Sequence, residues 1–198
     1  MGDVDHDGRP DIFFTSNQHE NQLYLNKGNW KFEEVAAKSG INKYASLAHR
    51  RKHVLILTVT DGWISMYVMG GNAAGDDRAN ELYINQRDGT FKEEAHAYGL
   101  DDHGISTQAI FFDYDHDGDL DCFILNNSNK SVESFGYTKD LRMIRDPENG
   151  DRLYRNDHGH FTDVSQQAGI YGSAIAFGLG VTVGDLNNDG WEDSIYIQ

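Results

Sequence analysis

One hexamer occurs three times in this chain, as Asn21-Gln-Leu-Tyr-Leu-Asn26, Asn80-Glu-Leu-Tyr-Ile-Asn85 and Asp151-Arg-Leu-Tyr-Arg-Asn156. Each copy runs into a short turn and an aromatic segment, Trp30-Lys-Phe32, Gly89-Thr-Phe91 or Gly159-His-Phe161. Each then closes on a small-residue stretch that ends in Gly40-Ile41, Gly99-Leu100 or Gly169-Ile170. Such self-similarity confines the chain to a series of like units, because a single unit of this size cannot bury its apolar face alone.

The apolar runs between the copies are β-rich. Ala109-Ile-Phe-Phe112 precedes an acidic loop and Cys122-Phe-Ile-Leu125 follows it. In order, one unit reads strand, acidic loop, strand, Leu-Tyr strand, turn, Phe strand. Four short strands separated by turn residues form the blade pattern of a β-propeller. The expected fold is therefore all-β, a partial β-propeller of about three and a half four-stranded blades. Residues 1–41 form a first blade lacking its opening strand, and 42–100 a second. Residues 101–170 form a third, with an insertion at 129–150 that carries a helical turn within Thr138–Asp146; 171–198 supply the first half of a fourth. The remainder of the ring is expected to lie outside this sequence, and the open edges to favour association. The Leu and Phe positions of each copy are expected in the core between blades.

Acid is the second constraint. The chain carries 32 acidic against 17 basic residues, a formal net charge of −15, and twelve aspartates fall in three short segments. Carboxylates packed that closely repel one another unless a cation lies between them. No basic stripe is present to neutralise phosphates, which excludes nucleic acid as a partner.

The three segments share one template: Asp3-Val-Asp5-His-Asp7-Gly8-Arg9-Pro-Asp11, Asp113-Tyr-Asp115-His-Asp117-Gly118-Asp119-Leu-Asp121 and Asp185-Leu-Asn187-Asn-Asp189-Gly190-Trp191-Glu-Asp193. Oxygen ligands at positions 1, 3 and 5 converge when the loop curls around an ion, and glycine at 6 permits the sharp turn. Position 7 contributes a backbone carbonyl, from Arg9, Asp119 and Trp191, and the acid at 9 closes the site. This pattern calls for about three Ca2+ ions rather than Mg2+, which prefers fewer protein ligands and keeps its waters. An EF-hand would need a bidentate Glu at position 12 and flanking helices. Position 12 here is Phe14, Ile124 and Tyr196, in apolar β-type runs, so the EF-hand is rejected.

These residues resemble the calcium-binding FG-GAP/VCBS-type repeats of integrin-alpha-like propellers. The likeness is greatest to the ASPIC/UnbV (cartilage acidic protein-like) group, through Ala176-Phe-Gly-Leu-Gly-Val181 leading into Gly184 to Gly190. The resemblance covers nearly the whole chain, without the C-terminal ASPIC/UnbV module. It implies a propeller of about seven blades, an extracellular, periplasmic or cell-surface location, and a binding role.

The second repeat breaks the pattern. Counting from Ile41 by the spacing that separates Ile170 from Asp185 lands on Ile56, within Val54-Leu-Ile-Leu-Thr-Val-Thr-Asp-Gly-Trp63, where no acidic loop exists. Across residues 42–66 two explanations stand: a blade that has lost its metal, and a reading-frame error. Suitable codons for Leu55 to Ile64, read with the first two bases dropped, encode Asp-Ile-Asn-Gly-Asp-Gly-Trp-Leu-Asp, a complete loop. The frame error is preferred, and the basic cluster His49-Arg-Arg-Lys-His53 is then without function.

Catalytic constellations are not evident. No Gly-x-Ser-x-Gly elbow occurs, and His19-Glu20 has Leu23 where a second His would complete a zinc helix. His158 and His160 lie in a turn, His6 and His116 occupy the outward-facing position 4, and the lone Cys122 sits on an apolar strand. The reading that follows is a non-catalytic calcium-binding repeat scaffold for an extracellular protein or glycan, with no membrane span in this chain. The alternative is the propeller of a secreted polysaccharide lyase or hydrolase, and a third reading makes it a spacer between other domains.

Overall fold

The computed structural model describes residues 1–16, 19–41, 63–69, 79–128, 141 and 143–197, together with the main chain of 53–58. Among these residues thirteen strands form four antiparallel sheets, and helix is confined to short pieces. The chain is all-β. It divides into two compact units, Met1–His96 and Ala97–Gln198. No helix among the described residues is long and apolar enough to cross a membrane.

The first unit holds two sheets. Strands β1 (Ile12–Phe14), β2 (Gln22–Asn26) and β3 (Phe32–Glu34) form one in that order, with α1 (Ala36–Ser39) following. Strands β4 (His53–Thr58), β5 (Ile64–Met69), β6 (Glu81–Asn85) and β7 (Phe91–Glu93) form the other, with α2 (Ala95–Tyr98) after it. Each Leu-Tyr hexamer is thus a central strand, and the turn after it is a tight hairpin: Lys27 N donates to Lys31 O at 2.8 Å, and Gln86 N to Thr90 O at 2.9 Å. Leu23 and Leu82 are both buried, and on β6 the adjacent Tyr83, which points to the opposite face, is buried as well. Leu23, Val35, Ile41, Met66, Val68, Tyr83 and Phe91 pack into one cluster drawn from both sheets. Each such aliphatic side chain contributes roughly 1.5–3 kcal/mol when buried. Tyr83 also donates its hydroxyl to Ile41 O at 3.1 Å, tying the sheet to the segment that closes the preceding repeat.

The second unit repeats the plan. Strands β8 (Ile105–Phe112), β9 (Asp121–Asn127), β10 (Arg152–Asp157) and β11 (His160–Asp163) form a four-stranded sheet. Strands β12 (Gly180–Gly184) and β13 (Asp193–Ile197) form a pair. From Asp121 to Asn126 every residue of β9 is buried, which explains its unbroken apolar run better than a half-exposed strand would. Phe123, Leu125, Leu153, Val164 and Val181 form the core between sheet and pair. Gln108 on β8 clamps β12 in both directions, its Nε2 donating to Val181 O and its Oε1 accepting from Val181 N, each at 3.1 Å.

Two expectations are modified. Phe91 and Phe161 are buried, but Phe32 is 39% exposed, on the edge strand of the three-stranded sheet. The small-residue stretches also form helical turns, α1 and α2, which weak periodicity did not announce. An acid two residues ahead starts each one: Glu34 Oε1 accepts from Ala36 N at 2.9 Å and Glu93 Oε1 from Ala95 N at 2.8 Å. Of the segment Thr138–Asp146, only Leu141 and Met143 onward are described, with Ile144 N bonded to Leu141 O at 3.3 Å. The basic cluster at residues 49–52 and the segment 59–62 lie outside the described residues.

Candidate metal centre

Two of the three acidic loops join consecutive strands, β8 to β9 and β12 to β13, the first leads into β1, and all three share one internal hydrogen-bond scaffold. Position 1 accepts two main-chain N–H groups. Asp3 takes those of Asp7 and Gly8 at 3.0 and 2.9 Å, Asp113 those of Asp117 and Gly118 at 3.1 and 3.0 Å, and Asp185 those of Asp189 and Gly190 at 3.2 and 2.9 Å. Position 5 caps position 7: Asp7, Asp117 and Asp189 accept from Arg9, Asp119 and Trp191 at 2.9, 2.8 and 2.9 Å. Position 9 accepts from position 2, so that Asp11, Asp121 and Asp193 hold Val4, Tyr114 and Leu186 at 2.8, 2.8 and 3.0 Å. Nine residues are thereby curled in each loop.

The curl requires two left-handed residues. Glycine at position 6 supplies one, with φ of 83°, 94° and 88° at Gly8, Gly118 and Gly190. Position 4 supplies the other without glycine, at His6, His116 and Asn188, with φ of 57°, 60° and 59°. Histidine and asparagine are among the non-glycine residues best able to adopt that region. The loops continue into strands β1, β9 and β13, so position 12 stands on a strand as expected and the EF-hand geometry does not arise.

A clasp from the Leu-Tyr strand holds the loops at Asp3 and Asp113, and the sequence reading missed it. Asn26 N donates to Asp11 Oδ1 and Asn156 N to Asp121 Oδ1, both at 2.8 Å. Their amide side chains donate to the position 8 carbonyls, Pro10 O at 3.1 Å and Leu120 O at 3.0 Å. The signal was available, since all three hexamers end in asparagine. Position 7 side chains reach the same hairpin turn: Arg9 Nε donates to Asn26 O at 2.7 Å, and Asp119 Oδ2 lies 2.8 Å from His158 Nδ1.

Carboxylate oxygens of Asp3, Asp5 and Asp11 lie within 4.8 Å of one another, as do those of Asp113, Asp115 and Asp117. The loop at Asp185 to Asp193 presents no such triad among the described residues; Asn187 is an amide there, and its Nδ2 donates to Asp189 Oδ2 at 3.0 Å. Asp5 Oδ1 and Asp115 Oδ1 are buried atoms with no hydrogen-bond partner, one in each triad. A buried acceptor of that kind costs about 1–3 kcal/mol, and a cation among the oxygens would remove the cost. An all-oxygen donor set suits a hard divalent ion. Burial, reinforced by Asp115 and Asp117, pushes the Asp121 carboxyl up to about 6 against the two main-chain N–H groups it accepts. Asp11 is raised for the same reasons, burial first, with Asp5 and Asp7 adding to it.

The second repeat is now placed by its strand pairing. Met66 lies opposite Tyr83, as Cys122 lies opposite Tyr154, so Ser65 occupies position 9 and Trp63 position 7. Asn85 keeps the clasp, donating its N–H to Ser65 Oγ at 3.3 Å and its side chain to Ile64 O at 3.1 Å. Leu57 pairs with Ser65 where Phe112 pairs with Asp121, so residues 58–64 replace 113–120, one residue fewer. A count from Ile41 therefore misplaces the loop, because connection lengths vary between repeats.

Repeated antiparallel units of short strands, three of them carrying the same nine-residue acidic loop, define an all-β repeat protein. A family model for the FG-GAP-like repeat matches residues 3–48, 55–124 and 139–196. The chain belongs to the FG-GAP-like repeat family. Comparison with curated proteins finds no match.

Proposed function

We propose that the chain is a calcium-binding, non-catalytic repeat scaffold that presents a surface to an extracellular protein or glycan. The observation that carries the calcium reading is the convergence of Asp113, Asp115 and Asp117 around a buried oxygen, Asp115 Oδ1, that has no donor. The ligands of the first site are Asp3, Asp5, Asp7 and Asp11 with the Arg9 carbonyl. Those of the second are Asp113, Asp115, Asp117 and Asp121 with the Asp119 carbonyl, and those of the third Asp185, Asn187, Asp189 and Asp193 with the Trp191 carbonyl. Membership of the FG-GAP-like repeat family and the four-stranded antiparallel sheets support a propeller. The reading extends to a ring of about seven blades, integrin-like and of the ASPIC/UnbV kind, outside the cell, in the periplasm or on the cell surface. Burial holds the Cys122 thiol well above the ordinary range, which fits a packing role for that residue rather than a nucleophilic one.

Calorimetric titration with calcium, paired with thermal unfolding before and after EDTA, tests this. About three ions should bind, and a hundredfold excess over the dissociation constant should stabilise the fold by about 2.7 kcal/mol per site. An unchanged unfolding temperature with no heat of binding would refute it.

A further inference from the structure

Two stacked pairs link loops that belong to successive repeats. His6, at position 4 of the first loop, stacks on Trp63 with ring centroids 4.1 Å apart and planes at 14°. His116, at position 4 of the third-repeat loop, stacks on Trp191 at 4.2 Å and 17°. Each tryptophan occupies position 7 of the following repeat, Trp191 by the loop template and Trp63 by strand register. His116 also meets the next residue of that loop, with Nε2 3.1 Å from Glu192 Oε2. The same contact, in the same orientation, therefore occurs in two separate units of the chain.

The positions give the contact its consequence. Position 4 lies between the ligand positions 3 and 5, and its left-handed backbone fixes the direction in which the ring leaves the loop. Position 7 is the residue whose carbonyl would be a ligand of the next loop. We propose that His116 and His6 are positioning residues that couple each metal loop to its successor. An ion in the Asp113 loop orders Asp115 and Asp117 on either side of His116, and the ring holds Trp191 and with it the ligand segment of the loop at Asp185. In the first unit the same stack connects the Asp3 loop to a repeat whose position 9 is Ser65, so the ion in one loop steadies a neighbour with no acid at that position. This inference rests on the calcium reading above.

The test uses the full chain carrying Trp30→Phe and Asp189→Asn, which disables the loop around Trp191 while leaving the Asp113 loop intact. Calcium should shift the emission assigned to Trp191, as the difference from the same protein carrying Trp191→Phe. Replacing His116 by Asn, the residue that occupies position 4 as Asn188 in the last loop, should abolish that shift. Calorimetry should still register filling of the Asp113 loop, and circular dichroism an unchanged fold. A shift that survives His116→Asn, or no shift in the parent while calorimetry shows the loop filled, overturns the coupling. Absence of calcium uptake in the unsubstituted protein overturns the calcium reading itself, and the coupling with it.

Discussion

Asn156 donates its main-chain N–H to Asp121 Oδ1 at 2.8 Å, so the end of the Leu-Tyr strand grips the acid that closes the loop at the start of the neighbouring strand β9. Its side chain adds a bond to Leu120 O at 3.0 Å and accepts from Gly159 N at 2.6 Å. One residue thus secures the loop, its own strand and the hairpin turn. Asn156→Ala keeps the first bond and loses the other two. The expected cost is about 1–3 kcal/mol, read as a lower midpoint in chemical denaturation at unchanged slope. A change below about 0.5 kcal/mol would show that the clasp carries no stability.

Acidity should act on calcium and on the metal-free fold in opposite senses. In the metal-free fold Asp121 is pushed up to about 6, so it holds a proton that an unfolded carboxyl near 3.8 has released. That contribution is fully present below about pH 4 and is lost as pH rises through about 6. It amounts to roughly 2–3 kcal/mol. Calcium needs the carboxylate, so its affinity should fall as pH drops below about 6. Comparing the wild-type protein with Asp121→Asn in EDTA between pH 4 and 7 isolates the effect. A stability difference that does not vary with pH contradicts it.

The loops should differ in affinity. In the first, Arg9 pairs with Asp7, and Lys27 Nζ lies 3.7 Å from Asp5 Oδ2. The third-repeat loop instead adds Asp119, and the last loop has Asn187 in place of an acid. Ligand charge tunes calcium affinity, so the Asp113 loop should fill first. Removing a competing cation with Lys27→Ala should tighten calcium at the Asp3 loop severalfold in calorimetry. An isotherm identical to that of the wild-type protein refutes the grading.

Glycine at position 99 answers to a close approach as well as to its backbone angle. Its φ is +78°, and an added Cβ would lie 2.4 Å from Phe161 O, whereas Gly89, at +85°, meets nothing within 4 Å. Gly99→Ala should cost about 2–4 kcal/mol and Gly89→Ala about 1–2 kcal/mol. Equal losses in denaturant titrations would show that the contact with Phe161 does not matter.

Much of this architecture was legible because it is periodic. Leu23, Leu82 and Leu153 recur in one hexamer and are all buried, and the template at Asp3, Asp113 and Asp185 yields the same four-bond scaffold. What escaped the reading is either tertiary or neutral in chemistry. The stack of His116 on Trp191 joins residues far apart in sequence, and no local pattern encodes it. The left-handed turn at position 4 was hidden because histidine does not advertise it as glycine does. Ser65 was missed because a hydroxyl there breaks the acidic signature while filling the same structural place.

Ser65 has a wider consequence. Its hydroxyl receives the N–H of Asn85 where Asp11 and Asp121 receive those of Asn26 and Asn156. The joint that locks a repeat together is therefore separable from electrostatic attraction to an ion. A unit built this way keeps its architecture with a neutral hydroxyl in place of the acid. Under the proposed calcium reading, chelation should then unsettle the repeats with acidic loops and leave the Ser65 repeat unchanged.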